Sequence, residues 1–192
     1  MKRWIAANAI GEAGAMLLSA LFGALFSMVP AEGFGLVLLP ALMVLMGILE
    51  GVLIGTAQAS VLNVPRGRWV LLTAGAFGVA WALGAVASLF EPSAAPSMGT
   101  VLLFAGCAGA ILGALVGLAQ RRLVQEPSHV GRMAVGWACN MILMAIAADF
   151  VPHGPLEAPA LAINVGAGAL AGSMVGLVSW DSVSSLGPRN KK

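Results

Sequence analysis

Apolar residues run along this chain in long unbroken blocks, and its charged residues gather in the short intervals between them. Three stretches carry no charged residue: Trp69–Phe90, Pro92–Gln120 and Ala158–Trp180. Each is long enough to cross a hydrocarbon core of about 30 Å, which takes about 20 helical residues. The blocks predict six transmembrane helices, over Trp4–Val29, Gly35–Leu62, Trp69–Phe90, Met98–Leu123, Gly131–Phe150 and Pro159–Trp180. Strands of a membrane barrel would alternate apolar and polar residues over about ten positions. Continuous Leu, Val, Ala and Gly with no Tyr argue against them.

Proline marks the same boundaries. Pro30, Pro65, Pro92, Pro96, Pro127, Pro152, Pro155, Pro159 and Pro188 fall between spans, after them or at a span's first residue. This fits a residue that lacks a backbone donor and restricts its predecessor. Pro40 alone lies inside a span, where it predicts a kink. The start of the chain has the basic-then-apolar order of a signal peptide. Its apolar stretch is too long, however, and contains Glu12, so it is read as the first span.

Composition agrees with the pattern. Hydrophobic residues make up 59% of the chain and charged residues 9%, with a mean hydropathy of +0.94. Soluble domains carry about 25% charged residues, so this chain could not cover a water-facing surface. Charge then supplies an orientation. All ten basic residues (Lys2, Arg3, Arg66, Arg68, Arg121, Arg122, Arg132, Arg189, Lys191 and Lys192) fall on one side of the expected spans. Glu32, Glu91, Asp149 and Glu157 fall on the other. The positive-inside rule makes the basic side cytoplasmic and places both termini there, in a multi-pass protein of the cell (inner) membrane. Trp4, Trp69 and Trp180 stand at that boundary, a usual place for indoles. The basic excess therefore reports topology, and no nucleic-acid partner is implied.

An internal repeat organises the spans. The second carries Gly47, Gly51, Gly55 and Gln58, and the fourth carries Gly109, Gly113, Gly117 and Gln120 at the same spacing. The sixth carries Gly168, Gly172, Gly176 and then Ser179. The odd spans align on Arg3-Trp4, Arg68-Trp69 and Arg132-Met133. The unit is a two-helix hairpin in three tandem copies, residues 1–65, 66–127 and 128–181, followed by a tail at 182–192. Parallel copies predict pseudo-threefold symmetry about the membrane normal in a single all-α domain. Glycines four apart share a helix face and permit close backbone approach, so they are expected to be packing surfaces. A sharper alternative has the three glycine faces lining a narrow path along the axis.

Polar residues inside the spans are the candidates for function. Glu12 and Glu50 both lie in the inner half of the first hairpin, with Asn8 and Asn140 at similar depth. A carboxylate at mid-membrane costs about 2.5–3.5 kcal/mol on insertion scales, so such groups face protein or water and often mark sites. Leu112 and Ala171 occupy the positions equivalent to Glu50, so the repeat itself did not require this acid. Gln58, Gln120 and Ser179 are expected either to hydrogen-bond between helices or to ring a cytoplasmic mouth. Cys107 and Cys139 read as small apolar residues without a disulfide. His153, with Asp149 and Glu157, has donor atoms for a weak site, but one histidine predicts no metal centre.

Phosphate-loop, dinucleotide, zinc-protease and nucleophile-elbow motifs are missing, so no cofactor is implied and an enzyme is not expected. A six-helix chain of this length is similar in size to the substrate-binding subunits of energy-coupling-factor vitamin transporters, and Ala9 and Ala13 match the alanine spacing of their first helix. The resemblance implies a solute-binding membrane subunit. Mitochondrial carriers also have three two-helix repeats, but their Pro-x-acidic-x-x-basic signature is absent. Two function classes follow: a transporter or channel, or its substrate-binding membrane subunit, and alternatively a structural or accessory subunit without a solute site. The partners expected are the lipid bilayer and other membrane subunits or a second copy of the chain.

Overall fold

The structure is a computed structural model that describes residues 1–30, 32–88, 96–151 and 156–187. His153 and Glu91 lie outside the described residues, as do Pro92, Pro152, Pro155, Pro188 and the basic residues Arg189, Lys191 and Lys192.

Six helices account for most of the chain: α1 (Lys2–Phe26), α2 (Gly35–Ala59), α3 (Arg66–Ala87), α4 (Met98–Gln120), α5 (His129–Ala148) and α6 (Ala158–Val183). A short 3-10 turn, Ser184–Leu186, follows. All six are long and apolar enough to cross a membrane, which makes this a multi-pass membrane protein. Their bounds stay within four residues of the expected spans. At the basic end α3 and α5 begin earlier and α6 runs on through Ser182 and Val183, while α1 and α5 stop two or three residues short at the other end. Pro40 sits inside α2, within two turns of its start.

The helices form a closed ring in chain order, each antiparallel to its neighbours, with α6 returning to α1. The most extensive contacts pair α2 with α3, α4 with α5, and α6 with α1. Helices within an expected hairpin touch less, and α3 and α4 least of all. The tight pairs thus join helices that the sequence reading assigns to different hairpins.

Glycine explains which pairs are tight. A Cβ on Gly51 would lie 2.6 Å from Ala74 Cα, and one on Gly47 would collide with the Trp81 side chain. On α4, Gly109 and Gly113 abut the backbone at Trp137 and Met133. On α6, Gly168 and Gly172 abut the backbone at Glu12 and Asn8. The third glycine of each set faces a β-branched residue. A Cβ on Gly55, Gly117 or Gly176 would lie 3.1, 2.8 or 2.8 Å from Cα of Val70, Val130 or Ile5. Helices meet this closely only where one of them lacks a side chain.

Outside the ring every helix presents large apolar residues: Ile10, Val37, Leu71, Phe104, Val135 and Leu170 are all more than half exposed. Polar side chains turn inward instead. Water-soluble folds have the opposite arrangement, and only a hydrocarbon surround makes this one stable.

Candidate functional site

Two polar layers lie inside the ring. The first, at the basic end, is a hydrogen-bonded belt that touches every helix. Asn8 Nδ2 donates to the Trp4 carbonyl (2.9 Å), while Gln58 Nε2 donates to Asn8 Oδ1 (2.9 Å). Trp69 Nε1 donates to Gln58 Oε1 (3.1 Å), and Thr73 Oγ1 donates back to the Trp69 carbonyl (2.9 Å). Gln120 Nε2 donates to Thr73 Oγ1 (3.0 Å). His129 spans the next gap, with Nε2 3.1 Å from Gln120 Oε1 and Nδ1 2.9 Å from Ser182 Oγ. A neutral imidazole with its proton on Nε2 donates to the glutamine and turns its Nδ1 lone pair to Ser182 Oγ, whose single proton is shared between that nitrogen and the Ser179 carbonyl. On α6, Ser182 Oγ lies 2.6 Å from the Ser179 carbonyl, and Trp4 Nε1 donates to Ser179 Oγ (3.1 Å), which closes the circuit. All of these side chains are at most 1% exposed. Each helix therefore supplies a polar group that its neighbour on the ring satisfies, which removes the cost of burying it.

The second layer surrounds a cavity of about 350 Å³ nearer the other end, walled by α1 to α5. Counting from the third-glycine contacts, Trp4, Trp69 and His129 hold matching positions on the odd helices. Eight residues further on, Glu12, Phe77 and Trp137 form the inner collar of the cavity. One turn beyond stand Met16, Trp81 and Met141, and a further turn gives Ser19, Gly84 and Met144. The even helices add Glu50 and Met43 from α2, and Leu112 and Ala108 from α4. The rim reaches the surface at Gly84 and Ala108, both exposed, on the two helices that touch least.

Polar groups in the cavity differ in how they are satisfied. Glu50, 5% exposed, accepts from Ser19 Oγ (2.7 Å) and from Trp81 Nε1 (2.7 Å), so both of its oxygens are occupied. Glu12, Trp137 and Asn140 are 3%, 2% and 1% exposed. Among the described residues, Glu12 Oε1, Trp137 Nε1 and Asn140 Nδ2 are the buried side-chain atoms that make no hydrogen bond of good geometry, although the Asn140 amide stands beside the Glu12 carboxyl. Phe77 and Trp137 pack edge to face, with ring centroids 5.1 Å apart at 78°. Below them Ile54, Val116 and Val175 fill the ring between cavity and belt.

The residues singled out from sequence therefore separate. Glu12, Glu50 and Asn140 line the cavity together, whereas Asn8 belongs to the belt, where Gln58, Gln120 and Ser179 also lie. None of the nine aligned glycines lines the cavity, so the alternative of a glycine-walled path does not describe it. Sequence reasoning missed His129, assigned to a loop but buried at the start of α5, together with Thr73 and Ser182. The sequence reading aligned the third odd span on Arg132-Met133, one turn beyond His129. The glycine contacts put His129 where Trp4 and Trp69 stand. The signal was available in the i, i+4, i+8 series of Trp4, Asn8 and Glu12, of Trp69, Thr73 and Phe77, and of His129, Met133 and Trp137.

Comparison with protein-family models, with curated proteins and with solved structures finds no match to this chain.

Proposed function

We propose that this protein binds a small solute inside the membrane, as a transporter or as the substrate-binding membrane subunit of one. The observation that carries this reading is the cavity with three unpartnered buried polar atoms, Glu12 Oε1, Trp137 Nε1 and Asn140 Nδ2. Leaving such a group unsatisfied costs about 1–3 kcal/mol, an expense that a purely structural core avoids by placing apolar residues there. A bound molecule with complementary groups recovers it. The volume falls within the usual range for small-molecule sites, about 300–1,000 Å³.

The architecture we infer is three copies of one hairpin around an axis through the cavity. Support comes from the odd helices, whose matching positions contribute Glu12, Phe77 and Trp137, then Met16, Trp81 and Met141. The chain orientation we infer has the belt on the cytoplasmic side, because the basic residues flank it. The site then extends outward from about mid-membrane and is closed toward the cytoplasm.

Water access tests both parts. In a background with Cys107→Ser and Cys139→Ser, Leu112→Cys places a thiol on the cavity wall at the level of Glu50. Gly75→Cys places one on the outside of α3, with no atom within 4 Å of its Cβ. A small, membrane-impermeant methanethiosulfonate added from outside the cell should modify the first and spare the second. No reaction at Leu112→Cys would sink the solute-site reading and leave a packed accessory subunit.

A further inference from the structure

Resting on that reading, we propose that the cavity selects a small organic cation: a protonated amine with an apolar, ring-sized body and an oxygen acceptor close to the charge. Two carboxyl groups, Glu12 and Glu50, line a space in which no Lys, Arg or His stands among the described residues. Glu50 is already held by Ser19 and Trp81, so Glu12 Oε1 is the acceptor left for a ligand. An ammonium N–H supplies the missing donor and the missing countercharge at once. Buried carboxylates are tolerated when a cation pairs with them.

Geometry adds a second argument. Phe77 and Trp137 occupy the same level as Glu12 on the other two odd helices, so one acid and two aromatic rings form a collar. Trp81 stands one turn beyond, its indole fixed by the bond to Glu50. Aromatic faces attract a cation within about 6 Å, by about 2 kcal/mol or more when water is excluded. Unpaired carboxyl and aromatic rings around one small space are the combination that recognises organic ammonium groups. Trp137 Nε1 is an orphaned donor and cannot bind the charge itself, whereas the Asn140 amide stands beside the Glu12 carboxyl. The indole requires an acceptor on the ligand, which is why a hydroxyl or carbonyl oxygen is part of the proposal. Met16, Met141 and Met144 complete a soft apolar wall that adapts to the body of the molecule.

Three probes of nearly equal shape separate the contributions: 2-amino-1-phenylethanol, 1-phenylethane-1,2-diol and mandelate carry one positive charge, none, and one negative charge near neutral pH. Binding to the purified full chain in detergent can be followed by calorimetry and by tryptophan fluorescence. The amine should bind saturably and about tenfold or more tightly than the diol, with mandelate weakest. Glu12→Gln should remove most of the amine's advantage over the diol, and a melting temperature in detergent close to that of the parent chain shows that the variant is folded. Equal affinity of amine and diol, or tightest binding of mandelate, overturns the cation inference and leaves the solute site standing. Binding of none of the three while Leu112→Cys remains reactive overturns it as well. Loss of that reactivity is the separate result that removes the solute site itself.

Discussion

Glu12 and Glu50 are the same residue type in the same cavity, yet their surroundings assign them different tasks. Glu50 holds two donors in place, Ser19 Oγ and Trp81 Nε1, and thereby fixes an aromatic wall. Glu12 keeps an oxygen free. Substitution should reveal the difference. Glu50→Leu strands a half-buried indole N–H and a half-buried hydroxyl, so it should lower stability by about 1–3 kcal/mol, read as a lower melting temperature in detergent. Glu50→Gln retains one acceptor and should lose less. If the leucine variant melts like the parent chain, the two bonds contribute nothing, and Trp81 is held by packing alone. Sequence reasoning could reach Glu12, Glu50 and Asn140 because charged and amide groups are rare inside apolar spans and must be accommodated. It could not separate Asn8 from them. Asn8 lies one turn nearer the chain start than Glu12, and that turn decides whether a side chain meets Gln58 or the cavity.

At the scale of elements, six spans were legible because hydrocarbon imposes a length and forbids charge, two constraints that composition records directly. Partner choice was not legible. Glycines four apart announce a face that a backbone can approach, but nothing in their spacing says which helix approaches it. Here each even helix turns that face to the odd helix that follows it around the ring, so that the tight pairs lie between hairpins. A graded response follows. Gly113→Leu would drive a side chain into the backbone of Met133 and Ala134, where no rotamer change can make room. Overpacking of this kind costs about 1–3 kcal/mol or more. Gly75→Leu meets no atom within 4 Å and should be nearly neutral. Thermal melting of the two variants side by side is the measurement. Equal melting temperatures would mean that the α4–α5 contact yields without cost.

At the scale of the whole molecule, the ring closes through contacts that chain connectivity does not supply. Trp4 on α1 and Ser179 on α6 are joined by a hydrogen bond, and Trp4 and Val183 share one apolar cluster. The six helices therefore have no first or last member in space, and the choice of where the polypeptide starts is free of the packing. A circular permutant makes this concrete: residue 192 linked to residue 1 by a short flexible segment, with new ends between Gln125 and Glu126. Met1, Gly187 and the link between Gln125 and Glu126 all stand at the basic end, and Gln125 and Glu126 are exposed. Every helix keeps its two neighbours and its direction across the bilayer. The rearranged chain should insert and melt in a single transition close to that of the parent. Should it fail to assemble, the order of synthesis, rather than the contacts between α6 and α1, governs how this ring is built.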